Sequence, residues 1–166
     1  MTLSVRRASP LDAAALARLR FDFRAELGHP TEARADFLPR CEAWMHERLQ
    51  RPGPWYAWVV ESPAISGSLW LQLIEKLPNP VDELESHAYI TSVYVTPSAR
   101  NLGGGQALLD AAFQFCRGAG VDSVILWPSS RSRPLYERNG FAVPSDLLQA
   151  VLDPGRALAD ERLAAR

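Results

Sequence analysis

The chain has little sulfur and no excess of charge of either sign. Its two cysteines, Cys41 and Cys116, fall at apolar positions of helical patterns, with no Cys-x-x-Cys spacing and no histidine at ligand spacing. That argues against a disulfide framework or a zinc site and leaves buried free thiols, with no metal, as the expectation. Eighteen basic residues face 19 acidic ones, a formal net charge of -1, so a protein that grips nucleic acid by general electrostatics is not expected. No apolar run approaches the roughly 20 residues that span a bilayer, and the amino terminus lacks the basic-then-apolar pattern of a signal peptide. A cytoplasmic protein with no membrane partner is therefore expected. Internal repeats and low-complexity stretches are missing as well, and 166 residues, 47% of them hydrophobic, suit one domain with one core.

What is present reads as alternating strands and helices. Thr2 to Arg7 suits a short strand, and Ser9-Pro10-Leu11-Asp12 supplies an N-cap, a first-turn proline and an acidic third position. Leu11, Leu16, Leu19, Phe23 and Leu27 then recur at helical spacing, with Gly28-His29-Pro30 as the stop. A second helix is predicted around residues 36–50. Trp55 to Val60 and Gly67 to Ile74 are β-prone and read as a hairpin, and the polar, proline-bearing stretch from Pro78 to Ser86 reads as an exposed loop. Strands are predicted from His87 to Val95 and from Ser123 to Trp127, a helix from about Ser132 to Asn139, and a last short strand at Phe141 to Val143. From Pro144 the chain is an amphipathic tail with Leu147, Leu148, Val151 and Leu152, interrupted by Asp153-Pro154-Gly155. Those leucines suit capping of the core or of a second copy, so a homodimer is left open.

The run Arg100-Asn101-Leu102-Gly103-Gly104-Gly105-Gln106-Ala107 follows the strand ending Val93-Tyr94-Val95-Thr96-Pro97. Leu108, Leu109, Ala112, Phe113 and Cys116 continue it as the apolar stripe of a helix. Glycines at a helix start leave the first N–H groups and the positive dipole end open to an anion. The spacing does not suit the two familiar nucleotide loops. No lysine follows Gly105 as a Walker A loop requires, and Leu108 stands where a dinucleotide fingerprint needs a small residue.

Arg100, Gly103 and Gly105 match Arg/Gln-x-x-Gly-x-Gly/Ala, and Pro134-Leu135-Tyr136-Glu137-Arg138-Asn139-Gly140-Phe141 follows after a further strand. Together these resemble the acetyl-CoA signature and the Leu-Tyr-Glu-x-x-Gly-Phe block of the GNAT superfamily of N-acetyltransferases, over about residues 88–141. The resemblance implies an α/β fold: a mixed, mostly antiparallel sheet flanked by helices, splayed into a V between the fourth and fifth strands. It implies one N-acetyltransferase domain over 1–166, with the helices of 10–51 on the acceptor side. It also implies acetyl-CoA as cosubstrate, its pyrophosphate held by Arg100, Asn101 and the backbone amides of Leu102, Gly103, Gly104, Gly105, Gln106 and Ala107. Val93, Tyr94 and Val95 would line the pantetheine arm, Val93 and Val95 through main-chain groups. Arg100 reads equally as a solvated helix-start arginine. Ser129 aligns where many relatives carry asparagine and is a further candidate for that arm, while Arg131 and Arg133 suit the 3′-phosphate of CoA, an acidic substrate or the surface.

The implied reaction is direct transfer of an acetyl group to a primary amine of a small molecule or peptide. Collapse of the tetrahedral intermediate expels a thiolate, and the resemblance gives Tyr136 the role of general acid. A phenol of pKa about 10 can serve there, although on composition alone Tyr136 reads as a core tyrosine. The amine must first lose its proton. Where some family members place a glutamate this chain has Tyr89, a candidate substrate contact. His87, two residues earlier on the same strand face, is the candidate base or else a loop-edge histidine. Glu83 and Glu85 suit either attraction of a cationic amine or solubility of their loop. The missing carboxylate supports an alternative, a catalytically reduced acyl-CoA-binding or regulatory module. An interaction protein without cofactor would leave the glycine run unexplained.

Overall fold

The computed structural model describes residues 3–28 and 30–152, grouped into two compact units, Met1–Leu126 and Trp127–Arg166. The first unit holds β1 (Ser4–Arg7), α1 (Ala13–Leu27), α2 (Arg34–Gln50), β2 (Trp55–Glu61), β3 (Ile65–Glu75), β4 (Ser86–Val95), α3 (Gly104–Gly118) and β5 (Val121–Ile125). The strands form one sheet in sequential order, antiparallel from β1 to β4 and parallel between β4 and β5. The antiparallel neighbours β2 to β4 are joined by short connections, β1 reaches β2 through α1 and α2, and the parallel pair needs a crossover, which α3 supplies.

Strand alternation divides the apolar residues between two faces. Ala57, Val59 and Trp70 pack with Leu16 and Ala17 of α1 and Met45 of α2. Tyr56 and Trp58 turn to the other face, where their rings lie 4.4 and 5.4 Å from that of Phe115 on α3. The sheet is therefore covered on both sides within this unit. Both cysteines are free, and burial raises the pKa of each thiol, which keeps them in the unreactive form.

Helix α1 begins as its sequence suggests, with Pro10–Asp12 forming a 3-10 turn and the Ser9 N–H donating to Asp12 Oδ2 at 2.7 Å. Leu11 departs from the predicted stripe and is 93% exposed, because that turn rotates it away from the face that buries Leu16. The stop residue His29 lies outside the described residues. Arg6 of β1 clamps Asp12 with both terminal nitrogens, at 2.8 and 2.9 Å, and also donates to Glu61 of β2. This fork ties the first strand, the start of α1 and the second strand together.

In the second unit α4 (Arg133–Arg138) stops at Gly140, whose φ of 85° is the left-handed conformation that glycine adopts without strain. The Phe141 N–H donates to the Tyr136 carbonyl at 3.1 Å, and the two rings meet edge-on at 5.5 Å. The expected strand at Phe141–Val143 does not form. Phe141 is held by this helix stop, Val143 is 81% exposed, and Pro144 cannot donate to a ladder. The tail, residues 144–152, is irregular, with Leu148 and Leu152 exposed; Asp153-Pro154-Gly155 lies outside the described residues. Among the described residues no helix is long and apolar enough to cross a membrane.

The Arg6 hydrogen bonds hold the Asp12 carboxyl down at about 2, against a usual 3.8. A depressed carboxyl pKa stabilises the fold above the unfolded value and loses that contribution as pH falls through the folded one. Asp12→Asn is expected to cost about 1–2 kcal/mol at pH 7, a range lowered for the half-exposed partner. Denaturant melts of both proteins should converge as pH falls from about 4 through the folded value; a gap undiminished at about pH 2 would contradict the assignment.

Candidate functional site

The sheet forks between β4 and β5. Parallel pairing runs from Ser86–Val121 to Tyr89–Ile125 and stops there, while β4 continues to Val95. The predicted fifth strand had extended to Trp127; it ends at Ile125, so the split opens earlier. At the same level Trp70 of β3 pairs with Ser92 and Leu71 with Ile90, which leaves Thr91 as an extra residue on β4. Such a bulge bends its strand and adds twist.

The edge that β5 no longer covers carries backbone groups of known direction. Thr96 N–H donates to Ser66 O at 2.8 Å, so in the antiparallel register Ser68 and Tyr94 also exchange bonds. By alternation Val93 and Val95 turn their N–H and C=O groups to the other edge, into the split. Gly67 faces Val95 in this ladder, and a Cβ there would lie 2.7 Å from the Tyr94 carbonyl oxygen, closer than real atoms approach. A glycine is therefore required behind the exposed edge.

Beyond β4, Pro97–Ala99 forms a 3-10 turn, and Asn101 and Gly103 take positive φ of 63° and 86°. Gly103 is the left-handed N-cap of α3, and no side chain caps that helix start. The first intrahelical bond runs from Ala107 N–H to Gly103 O at 3.0 Å, so the N–H groups of Gly104 and Gly105 precede the ladder. Leu102 is exposed beside them. This is a bare positive helix end.

Arg100 holds the loop in place. Its Nε donates to Val95 O at 3.0 Å and its Nη2 to Glu26 Oε2 at 2.6 Å, while Tyr94 donates its hydroxyl to Glu26 Oε1 at 2.6 Å. Burial, then the hydrogen bond to Glu26, raise the Tyr94 pKa and keep the phenol protonated. Arg100 is thus engaged in positioning the loop, and Tyr94 anchors β4 to α1. Glu26 was not legible in the sequence, because only a contact across 74 positions makes it matter.

His87 and Tyr89 sit on the closed side of the fork or at its apex. His87 Nδ1 lies 2.7 Å from Asp122 Oδ1 and 2.6 Å from Ser123 Oγ, and Lys76 Nζ lies 2.7 Å from Asp122 Oδ2. The ring is held in a polar network on the paired strands. Tyr89 is the last β4 residue paired to β5. Glu83 is engaged within its own loop, accepting from Asn79 Nδ2 at 2.6 Å and lying 3.8 Å from Lys76.

In the second unit Ser129 and Ser132 bond reciprocally: Ser129 N–H donates to Ser132 Oγ at 3.0 Å and Ser132 N–H to Ser129 Oγ at 3.2 Å. Ser129 therefore nucleates α4. Tyr136 is buried, and that burial pushes its pKa up to about 12 despite the Ser132 hydroxyl, which acts the other way. Arg133 lies 3.7 Å from Glu137 on its own helix.

The model of the Acetyltransferase (GNAT) family matches residues 16–141, which span the forked sheet, the glycine helix start and the Tyr136–Phe141 helix stop. The chain belongs to the GNAT acetyltransferase family. A curated relative, the mycothiol acetyltransferase of Beutenbergia cavernae, is 35% identical over 94 residues, which is 53% of this chain and 29% of that protein. The chain thus spans less than a third of that relative. A GCN5-related N-acetyltransferase from Ralstonia eutropha is 26% identical with a TM-score of 0.74, over 90% of this chain and 99% of the other. The fold also matches a predicted acetyltransferase solved with acetyl-CoA from Clostridium acetobutylicum, at 20% identity and a TM-score of 0.76, over 91% of this chain and 97% of that one.

If Glu26 is the post to which both Tyr94 and Arg100 are tied, Glu26→Ala should loosen the connection from β4 to α3. Amide hydrogen exchange across residues 98–103 is expected to quicken by about tenfold, one lost net charge-assisted bond, while β2 is unchanged. Equal acceleration in both would point to general destabilisation instead.

Proposed function

We propose that this chain is an acetyl-CoA-dependent N-acetyltransferase acting on a primary amine by direct transfer, and that residues 1–166 serve as one such domain in the cytoplasm. The observation that supports it is the pairing of two backbone features in the first unit: the Val93 and Val95 edge opened by the fork, and the bare N-terminus of α3 behind Gly103. An acyl-pantetheine is a chain of amides ending in a pyrophosphate. An open strand edge suits the amides, and an uncapped glycine helix start suits the anion.

The residues present fit that molecule. Gly103, Gly104 and Gly105 leave no side chain between the helix N–H groups and a pyrophosphate, with Leu102, Gln106 and Ala107 continuing the turn. Acetyl-CoA supplies the activated acyl group. Main-chain N–H groups at the β4 edge polarise its carbonyl, in the manner of other backbone oxyanion donors. Tyr136 donates a proton to the departing thiolate, and a phenol that stays protonated up to about pH 12 carries that proton throughout the physiological range. Loss of the ammonium proton from the acceptor is assigned to His87 Nε2 or to solvent, since Asp122 and Ser123 engage only the other ring nitrogen. Neither cysteine forms a covalent intermediate in this scheme.

Calorimetric titration with acetyl-CoA tests the donor site, and thiol release over a panel of amines tests turnover. Tyr136→Phe should lower kcat by about a hundredfold, the lower end of a general acid's usual contribution, with acetyl-CoA affinity nearly unchanged. An unchanged kcat would remove Tyr136 from the reaction. Saturable binding with no thiol release from any amine would favour the acyl-CoA-binding module, and no binding would end the proposal.

A further inference from the structure

The α1–α2 face of the sheet, beside the fork, carries hydrogen-bond donors that the protein itself leaves short of acceptors. Arg20 of α1 is partly buried, and its guanidinium makes one long contact, Nη1 to Ser92 Oγ at 3.5 Å, while lying 5.6 Å from the Phe23 ring centre. Among the described residues no carboxylate forms an ion pair with it. The charged groups that act on it are Arg24, which repels it, and the weakly acidic side chains of Cys41 and Tyr89. Burial and Arg24 both lower its pKa, the signature of a cation without its counter-charge, although arginine remains protonated. Ser92 is the register partner of Trp70 across β3 and β4. The Trp70 indole Nε1 is a fully buried donor with no acceptor. Cross-strand partners share a face, so two independently unsatisfied donors belong to the same region of the sheet, Trp70 as the register partner of Ser92 and Arg20 through its contact with the Ser92 hydroxyl.

Buried donors that the chain does not satisfy are satisfied by something else. We infer that the acceptor of this enzyme is an amine that also carries an anionic oxygen group, and that Arg20 and Ser92 receive that group on the α1–α2 face beside Tyr89. The inference rests on the proposed acetyl transfer for its role and names the class of acceptor. It also disfavours one class: the Arg20 guanidinium, without a carboxylate partner among the described residues, would repel a polycationic amine. The same positive potential favours loss of the acceptor's ammonium proton, which no carboxylate at position 89 assists.

The test uses matched acceptors in the thiol-release assay with saturating acetyl-CoA. Free L-alanine is compared with alaninamide for a carboxylate, phosphoethanolamine with ethanolamine for a phosphate, and spermidine serves as the polycation. At least one anionic member is expected to exceed its neutral partner about tenfold in kcat/KM, mainly through KM, the loss typical of one charge-assisted contact. Which pair shows the gap identifies the anion. Arg20→Gln should reduce the gap to below about threefold with acetyl-CoA affinity unchanged, Arg20→Lys should keep part of it, and Ser92→Ala should narrow it less. Neutral members or spermidine turned over as well as the anions, or a gap indifferent to Arg20→Gln, would overturn the inference. Where no panel member is acetylated, tryptophan fluorescence titrated with alanine and phosphoethanolamine decides. A saturable change lost in Arg20→Gln supports the subsite, and no change with either compound overturns it. Failure to bind acetyl-CoA would instead defeat the transferase proposal, with the fluorescence result still deciding the anion site.

Discussion

The short parallel pairing between β4 and β5 is the constraint on which the site depends. Four register pairs hold the strands together from Ser86 to Tyr89, and beyond Ile125 the second strand is gone. A central strand would leave no unsatisfied backbone on either edge. Here β4 keeps its bonds to β3 on one side and exposes a ladder of main-chain groups on the other. The bulge at Thr91 falls at the level where the pairing ends, so the strand turns as it loses its neighbour.

An exposed edge of this kind is a liability unless the rest of the structure holds it open. Gly67 permits the close approach of β3 behind Val95, and Glu26 ties Tyr94 and Arg100 to α1. The crossover that carries the chain from β4 to β5 is α3, whose start lies just past the open edge. One topological requirement, a parallel neighbour reached through a helix, thus delivers both the strand edge and the helix N-terminus. The bare helix start proposed to hold a phosphate is a consequence of the connection rather than an addition to it.

Much of this was legible in the sequence because the relevant physics is local. Three consecutive glycines after a strand announce a bare helix start, and Tyr136 to Phe141 announces a helix that stops at a left-handed glycine. The Ser9-Pro10-Leu11-Asp12 start was equally readable. What escaped the sequence is non-local. Leu11 fits a helical stripe by spacing and is turned out by the 3-10 turn, and Phe141–Val143 has strand composition but its first residue is held by the helix stop. Arg100 looked like a free cation because Glu26 is distant in the chain. His87 looked available because alternation placed it on the face of Tyr89, and only the register with Ser123 shows how its ring is held.

The same reasoning explains why the two halves of the site differ in how well sequence describes them. The donor half is backbone: its recognition elements are conformations, and glycine, proline and the end of a strand encode conformations directly. The proposed acceptor half is side chains from α1, β3 and β4, and its character rests on a guanidinium without a carboxylate partner among the described residues. Arg20 carries no motif, and Trp70 reads as one more core aromatic. Their significance appears only when the register places Trp70 beside Ser92 and the helix packing places Arg20 over it. A charge balance of nearly zero over the whole chain says nothing of whether each charge has a partner, and the proposed acceptor face rests on Arg20, which no motif announces.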